Sequence, residues 1–148
     1  MALDPIALGL PHREPFIFVD AVDELTPGES ATALKTFPAD EAFFRGHFPG
    51  DPLVPGVILV EALAQTAGLA AGQQGRGFRL TAIKAMKFLR AVRPREEIVL
   101  AARKLAAVGG LWQFEVTAKV AGQSAAEGVV VLSETKFPPE FGLPKALG

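Results

Sequence analysis

Val57-Ile58-Leu59-Val60-Glu61-Ala62-Leu63-Ala64-Gln65-Thr66-Ala67-Gly68-Leu69-Ala70-Ala71-Gly72 decides the fold. It is the one long stretch that reads as a helix. Pro55 stands just before or inside its start, where a missing N–H costs nothing. Apolar residues occupy almost every side, so the helix is expected to be buried all round rather than amphipathic. Its small residues, Ala62, Ala64, Ala67, Gly68, Ala70 and Ala71, let a sheet approach closely. One carboxylate, Glu61, interrupts the apolar surface. An acid in such a place is costly unless it is paired or used.

On either side of the helix the pattern is strand-like. Upstream, Phe16 to Val19 reads as a short buried strand continued by Asp20 to Leu25. Thr26-Pro27-Gly28 is a turn, and Ser30 to Phe37 alternates as a second strand. Asp40 to Phe44 suits one helical turn. Downstream, Leu80 to Val92, Ile98 to Ala106, Leu111 to Ala121 and Ala125 to Glu134 give four strands, with Gly109-Gly110 and Gly122-Gln123 as turns. Strands joined by tight turns imply an antiparallel sheet. The expected fold is α+β: an antiparallel β-sheet wrapped around one long buried central helix, the hotdog arrangement. Residues 1–148 suit one domain of this kind.

The composition is 49% apolar, with a mean hydropathy of +0.29. That is greasy for a soluble chain and points to self-association. No run approaches the roughly 20 apolar residues of a membrane span, and the first residues carry no basic, apolar leader. There is no cysteine, hence no disulfide and no thiolate metal site, and a cytoplasmic location is expected. The two histidines are far apart, which disfavours structural zinc. Charge is uneven. From Arg76 to Lys104 nine basic residues face two acidic ones, while the whole chain carries −1. This suggests a basic face for an anionic partner, against the plainer reading of a solvated strand face. Nucleic acid is a poor fit, because the basic segment holds no interleaved Trp or Tyr.

The chemistry concentrates in Phe43-Phe44-Arg45-Gly46-His47-Phe48-Pro49-Gly50-Asp51-Pro52, then Pro55-Gly56-Val57, Glu61 and Gln65. His47 sits on a turn bracketed by glycine and proline. A histidine base and a carboxylic acid facing one pocket can abstract a proton and expel a hydroxyl. Burial is expected to keep Glu61 protonated. The first backbone N–H groups of the helix, at Gly56 and Val57, are free to meet a developing oxyanion. Gln65 shares the face of Glu61, one turn on, and can orient it. Phe43, Phe44 and Phe48 serve equally well as core or as walls of a binding site. His12 reads as a structural residue pinning the opening loop.

These residues resemble the 3-hydroxyacyl-(acyl-carrier-protein) dehydratases of type II fatty acid synthesis, in the branch with glutamate on the central helix. Leu10-Pro11-His12-Arg13 with Pro15-Phe16 is similar to the family's opening motif. The segment from Phe43 to Pro52 and from Pro55 to Gln65 is similar to its catalytic motif, and Phe88, Pro94 and Gly110 to Phe114 match weaker patterns. Glu14 replaces a usual aromatic residue, Lys84, Leu89 and Ala91 interrupt a strand pattern, and Arg95-Glu96 replaces a common Gly-Asp turn. The resemblance implies catalysis by His47 and Glu61, substrate contacts from Gly56, Val57, Gln65, Phe48 and Phe44, and no metal or other cofactor. It implies an acyl carrier protein as partner and a homodimer whose site takes His47 and Glu61 from different subunits, extending to a trimer of dimers. Arg79, Lys84, Lys87, Arg90, Arg93 and Arg95, with Arg76, then become the docking face for an acidic carrier. A thioesterase on the same fold and a non-catalytic carrier-binding subunit are the competing readings. Relatives that also isomerise the double bond usually carry aspartate where Glu61 stands, which argues against that activity here.

Overall fold

The computed structural model describes residues 2–72 and 77–135. Arg76 and the tail from Phe137 onward therefore lie outside the described residues. In chain order come β1 (Ala21–Thr26), β2 (Ser30–Thr36), a 3-10 turn (Ala42–Arg45), α1 (Gly56–Ala71), β3 (Gly77–Phe88), β4 (Glu97–Val108), β5 (Leu111–Val120) and β6 (Gln123–Thr135). All strands pair antiparallel in one sheet, ordered β1-β2-β4-β5-β6-β3. This is the expected hotdog arrangement. The helix precedes β3 in the chain, yet β3 lies at the sheet's far edge beside β6.

The strands alternate because one face covers the helix. On β4, Ile98, Leu100 and Ala102 are buried; on β5, Trp112, Phe114, Val116, Ala118 and Val120 are buried. From the helix, Leu59, Leu63, Ala67 and Ala70 are buried in the same core, and α1 packs across β2, β4 and β5. Leu63 has no exposed surface, and burying such a side chain is worth about 1.5–3 kcal/mol. The helix is not buried all round, as its sequence implied. Its first turn is open, with Val57 75% exposed. Among the described residues no helix is long and apolar enough to cross a membrane.

Three local expectations are corrected. Phe16 to Val19 is not a strand: Asp20 N–H bonds Leu34 C=O, but ladder pairing begins only at Ala21. The backbone of this segment instead bonds a side chain, Gln65, described below. β3 stops at Phe88 rather than Val92, and Val92 C=O accepts from Val54 N–H at 2.8 Å. The turn before β6 is Ala121-Gly122, one residue earlier than expected, since Val120 already pairs with Gln123. Both turn residues have positive φ, +51° and +79°. That is the primed hairpin geometry, whose twist matches the flanking strands. Ala121 adopts it against the preference of its Cβ.

β3 carries two irregularities, at Leu80/Ala82 and Lys84/Lys87, and Ala85 there has φ +50°. Gly128 on β6 faces the second. A Cβ on it would lie 2.8 Å from Met86 Cα and 3.1 Å from Lys84 O. The bulge therefore needs a residue without a side chain opposite it.

Candidate active site

His47 is half-buried on the loop that follows the 3-10 turn, and several bonds fix it. Its N–H reaches Phe43 C=O at 3.0 Å, and its C=O accepts from Leu53 N–H at 2.8 Å. Phe48 and Asp51 exchange backbone bonds of 3.1 and 2.9 Å around Gly50 at φ +76°. The His47–Phe48 peptide is cis. Asp51 pairs with Arg93 at 2.7 Å, tying the loop to the segment after β3. Most telling is the ring. Its Nδ1 lies 3.1 Å from Leu53 C=O. A carbonyl can only accept, so Nδ1 carries the proton and the lone pair of the neutral ring is on Nε2.

Glu61 projects from the second turn of α1. Its Oε2 accepts from Gln65 Nε2 at 3.1 Å and lies 3.4 Å from His12 Nε2. Among the described residues Oε1 has no hydrogen-bond partner. The carboxyl side chain is 21% exposed, so its surroundings are more polar and more open than the helix sequence alone implied. Gln65 is 2% exposed and uses its whole amide. Oε1 accepts from Phe18 N–H at 2.9 Å, and Nε2 donates to Phe16 C=O at 3.0 Å as well as to Glu61. One side chain thus does for residues 16–18 what a neighbouring strand would do.

Glu61 opens on a cavity of about 510 Å³, within the usual size of a small-molecule site. Leu10, His12, Phe16, Phe78, Arg79 and Leu132 line it together with one side of α1. His47 does not line it. Within one chain the two groups expected to react together are therefore presented to different spaces.

The sequence profile of the FabA-like domain matches residues 10–129. The chain belongs to the FabA-like family. It is 44% identical over 131 residues to a protein of Ruminiclostridium cellulolyticum named 3-hydroxyacyl-[acyl-carrier-protein] dehydratase FabZ, covering 86% of this chain and 92% of that relative. It is 43% identical to a protein of the same name from Polynucleobacter asymbioticus, covering 80% and 82%. Among solved structures, the dehydratase heterocomplex ApeI:P of Xenorhabdus doucetiae is similar, with TM-score 0.74, 16% identity and 89% and 91% coverage. A hypothetical thioesterase protein with coenzyme A from Streptococcus pneumoniae matches with TM-score 0.61, 9% identity and 78% and 84% coverage. At such identities these two show the fold alone.

Gly56 begins α1, and the N–H groups of Gly56 and Val57 precede the first helical bonds, which start with Ile58 N–H to Pro55 C=O. The Phe88 ring covers Gly56 so closely that a Cβ there would lie 3.0 Å from it. Phe48 is 48% exposed and stacks on His47 with centroids 4.1 Å apart. Phe44 is buried in the core, edge-on to Phe43, and does not line the cavity. His12, expected as a structural residue of the opening loop, lines the cavity beside Glu61, and its Nδ1 is buried without a partner among the described residues. The only sequence signal for it was its place in the opening motif. Of the six cations expected to dock a carrier, Arg90 is paired with Glu96 and Arg93 with Asp51. Arg79, Lys84, Lys87 and Arg95 have no acidic partner among the described residues. No cluster of three or more His, Cys, Asp or Glu suited to a metal occurs among the described residues.

Proposed function

We propose that this chain removes water from 3-hydroxyacyl thioesters carried on acyl carrier protein. The product is the trans-2-enoyl thioester, made in the building of fatty acids or related acyl chains in the cytoplasm. The names of the relatives support this class of reaction. The observation that carries the residue assignment is the ring orientation of His47. Its Nδ1–H is held by Leu53 C=O, which leaves Nε2 as the base.

His47 Nε2 takes the C2 proton, and the electron pair of that C–H bond forms the C2–C3 double bond. The C3–O bond breaks, and the carboxyl group of Glu61 acts as the acid, passing its proton to the departing hydroxyl, which leaves as water. Transfer of the proton from His47 back to Glu61, directly or through water, resets the site. Charge that builds on the thioester oxygen meets the N–H of Gly56 and Val57 at the positive end of α1. Gln65 holds Glu61 through Oε2 and so leaves Oε1 for the substrate. Val57 and Phe48, both exposed in one chain, are placed to touch the substrate where a second chain closes over them.

We infer that a homodimer completes the site. β3 is an edge strand, and Leu80, Ile83, Phe88 and Leu89 along and just after it are exposed, as is Val57. An open apolar edge invites a second sheet. Such pairing accounts for a His47 that does not line its own chain's Glu61 cavity, with each site taking one residue from each chain. Arg79, Lys84, Lys87 and Arg95, which have no acidic partner among the described residues, are the proposed landing points for the acidic carrier.

The test is hydration of crotonyl thioester, on carrier protein and on coenzyme A, followed by loss of enoyl ultraviolet absorbance. His47→Ala and Glu61→Gln should each lower kcat by roughly 10²–10⁴, the usual worth of a general acid or base, while the oligomer stays intact. Near-wild-type turnover in either variant removes that residue from the mechanism. Release of free thiol without hydration would make the chain a thioesterase instead.

A further inference from the structure

His12 is a titratable group beside the reacting acid, and the steps above give it nothing to do. It hangs from the opening loop, where the Arg13 guanidinium donates to Leu10 C=O at 2.9 Å and to the C=O of His12 itself at 2.7 Å. Its ring stacks on that of Phe16, with centroids 6.2 Å apart. So held, it brings Nε2 to 3.4 Å from Glu61 Oε2. Its other nitrogen, Nδ1, is buried with no hydrogen-bond partner among the described residues.

The bare Nδ1 fixes where the ring carries its proton. An imidazolium has an N–H at both nitrogens, and one neutral tautomer has its N–H at Nδ1. Either form would bury an N–H that has no acceptor, and such orphaned donors are rare. The neutral ring with its proton on Nε2 avoids this. It leaves only a lone pair unpaired, which buried groups tolerate more often, and it turns an N–H toward the carboxyl of Glu61. His12 is then the opposite tautomer to His47, whose Nδ1 bonds Leu53 C=O.

We propose that His12 is a positioning residue: its Nε2–H, together with the Gln65 amide, keeps Oε2 of Glu61 as an acceptor and so puts the acid's proton on Oε1. The proposal rests on the dehydratase reading, which makes Glu61 the acid. A carboxylic acid has two oxygens and one transferable proton. Oε2 accepts from Gln65 Nε2 at 3.1 Å, which by itself leaves that oxygen a site for the proton. A second N–H aimed at Oε2 repels a proton there. A bare Nε2 would do the reverse, drawing the proton onto Oε2 and into a bond with His12, away from the substrate. Oε1 has no hydrogen-bond partner among the described residues, so a proton placed on it is free to reach the departing hydroxyl. At 3.4 Å the His12 contact is longer than a formed N–H···O bond, and contacts among catalytic groups commonly shorten once substrate is bound.

The test has a spectroscopic and a kinetic arm. Nitrogen-15 NMR of the intact protein near neutral pH separates protonated from bare imidazole nitrogens. With two histidines in the chain, the spectrum of His12→Gln assigns the His12 signals by their loss. The expected result is an N–H at Nε2 of His12 and a bare Nδ1; an N–H at Nδ1 overturns the proposal. The kinetic arm follows hydration of crotonyl thioester on carrier protein in wild type, His12→Leu and His12→Gln. Leucine fills the space without a donor, and the glutamine amide reaches the place of the ring Nε2. In His12→Leu, kcat should fall about tenfold or more while KM changes less than about twofold, and His12→Gln should stay within about threefold of the wild-type kcat. Wild-type kcat in His12→Leu overturns the proposal, as does a loss confined to KM. So does an equal loss in both variants, which would make packing of the ring its whole role. Melting and sedimentation runs show whether His12→Leu folds and assembles; if it does not, the kcat of His12→Gln decides. A wild type that hydrates nothing sinks the dehydratase reading and the role in proton placement with it. An Nε2–H signal in that case shows that the fault lies in the reaction assigned and not in the reading of the His12 ring.

Discussion

Replacing Gln65 with leucine should loosen residues 16–18 from α1 and destabilise the protein by about 2–4 kcal/mol. Gln65 is 2% exposed and makes three hydrogen bonds through one amide. The largest loss is at Phe18, whose buried N–H would have no partner, at a cost of ~1–3 kcal/mol. The bonds to Phe16 C=O and Glu61 Oε2 add roughly 0.5–1.5 kcal/mol each. Leucine nearly matches glutamine in size and returns about 1 kcal/mol through apolar burial. At ~3 °C per kcal/mol for a chain of this length, Tm should fall by about 6–12 °C. The melts belong at one fixed protein concentration, because assembly makes Tm concentration-dependent. Amide hydrogen exchange gives the local readout: the Phe18 N–H should lose protection while amides in β4 and β5 keep theirs. Gln65→Glu is the sharper control. It keeps an acceptor for Phe18 but sets a carboxylate against the Phe16 carbonyl and Glu61, so it should not restore the wild type. A Tm drop under about 2 °C with Phe18 still protected would refute the idea that this amide stands in for a strand.

Gly128→Ala should cost about 2–3 kcal/mol, seen as a lower urea midpoint, because its Cβ would press on the Met86 and Lys84 backbone; an unchanged midpoint would mean that the bulge relaxes freely. Ala121→Asn should stabilise the β5–β6 hairpin by up to about 1 kcal/mol, since asparagine tolerates φ near +51° better than alanine does, and a drop in Tm would contradict the turn geometry. Lys84→Glu with Lys87→Glu should raise KM for carrier-bound substrate well above its effect on coenzyme A thioesters, and added salt should do the same to the wild type. Equal effects on both substrates would move the docking surface elsewhere.

The parts of the fold visible in the sequence were those set by neighbours along the chain. Pro55 and Gly72 bracket an apolar run, and that run is the helix. Gly109-Gly110, with φ of +59° and +82°, is a hairpin turn because glycine alone enters that region without cost. What escaped was set at a distance. Phe16-Ile17-Phe18-Val19 has the composition of a strand, and only Gln65, far along the chain, decides otherwise. The turn at Ala121 was misplaced because alanine gives no sign of a positive φ. The site divided in the same way. The residue types and motif spacing singled out His47, Glu61 and Gln65. The ring orientation of His47 and the position of His12 beside Glu61 both depend on packing between segments. That one chain points His47 and Glu61 into different spaces could not be read from spacing at all.

The strand order has a consequence for how the molecule is made. β3 is complete in the chain before β4 and β5, yet it joins the sheet only through β6. While β4 and β5 are being added, β3 has no sheet partner, and Leu80 and Ile83 stay exposed. Pairings between segments so distant in sequence form slowly, and an unpaired apolar strand is where misassembly begins. The edge that we propose for joining two subunits therefore becomes a proper strand only in the last step of sheet formation. Association is postponed until the rest of the sheet is present, and a fault in β6 would appear first as aggregation rather than as lost activity.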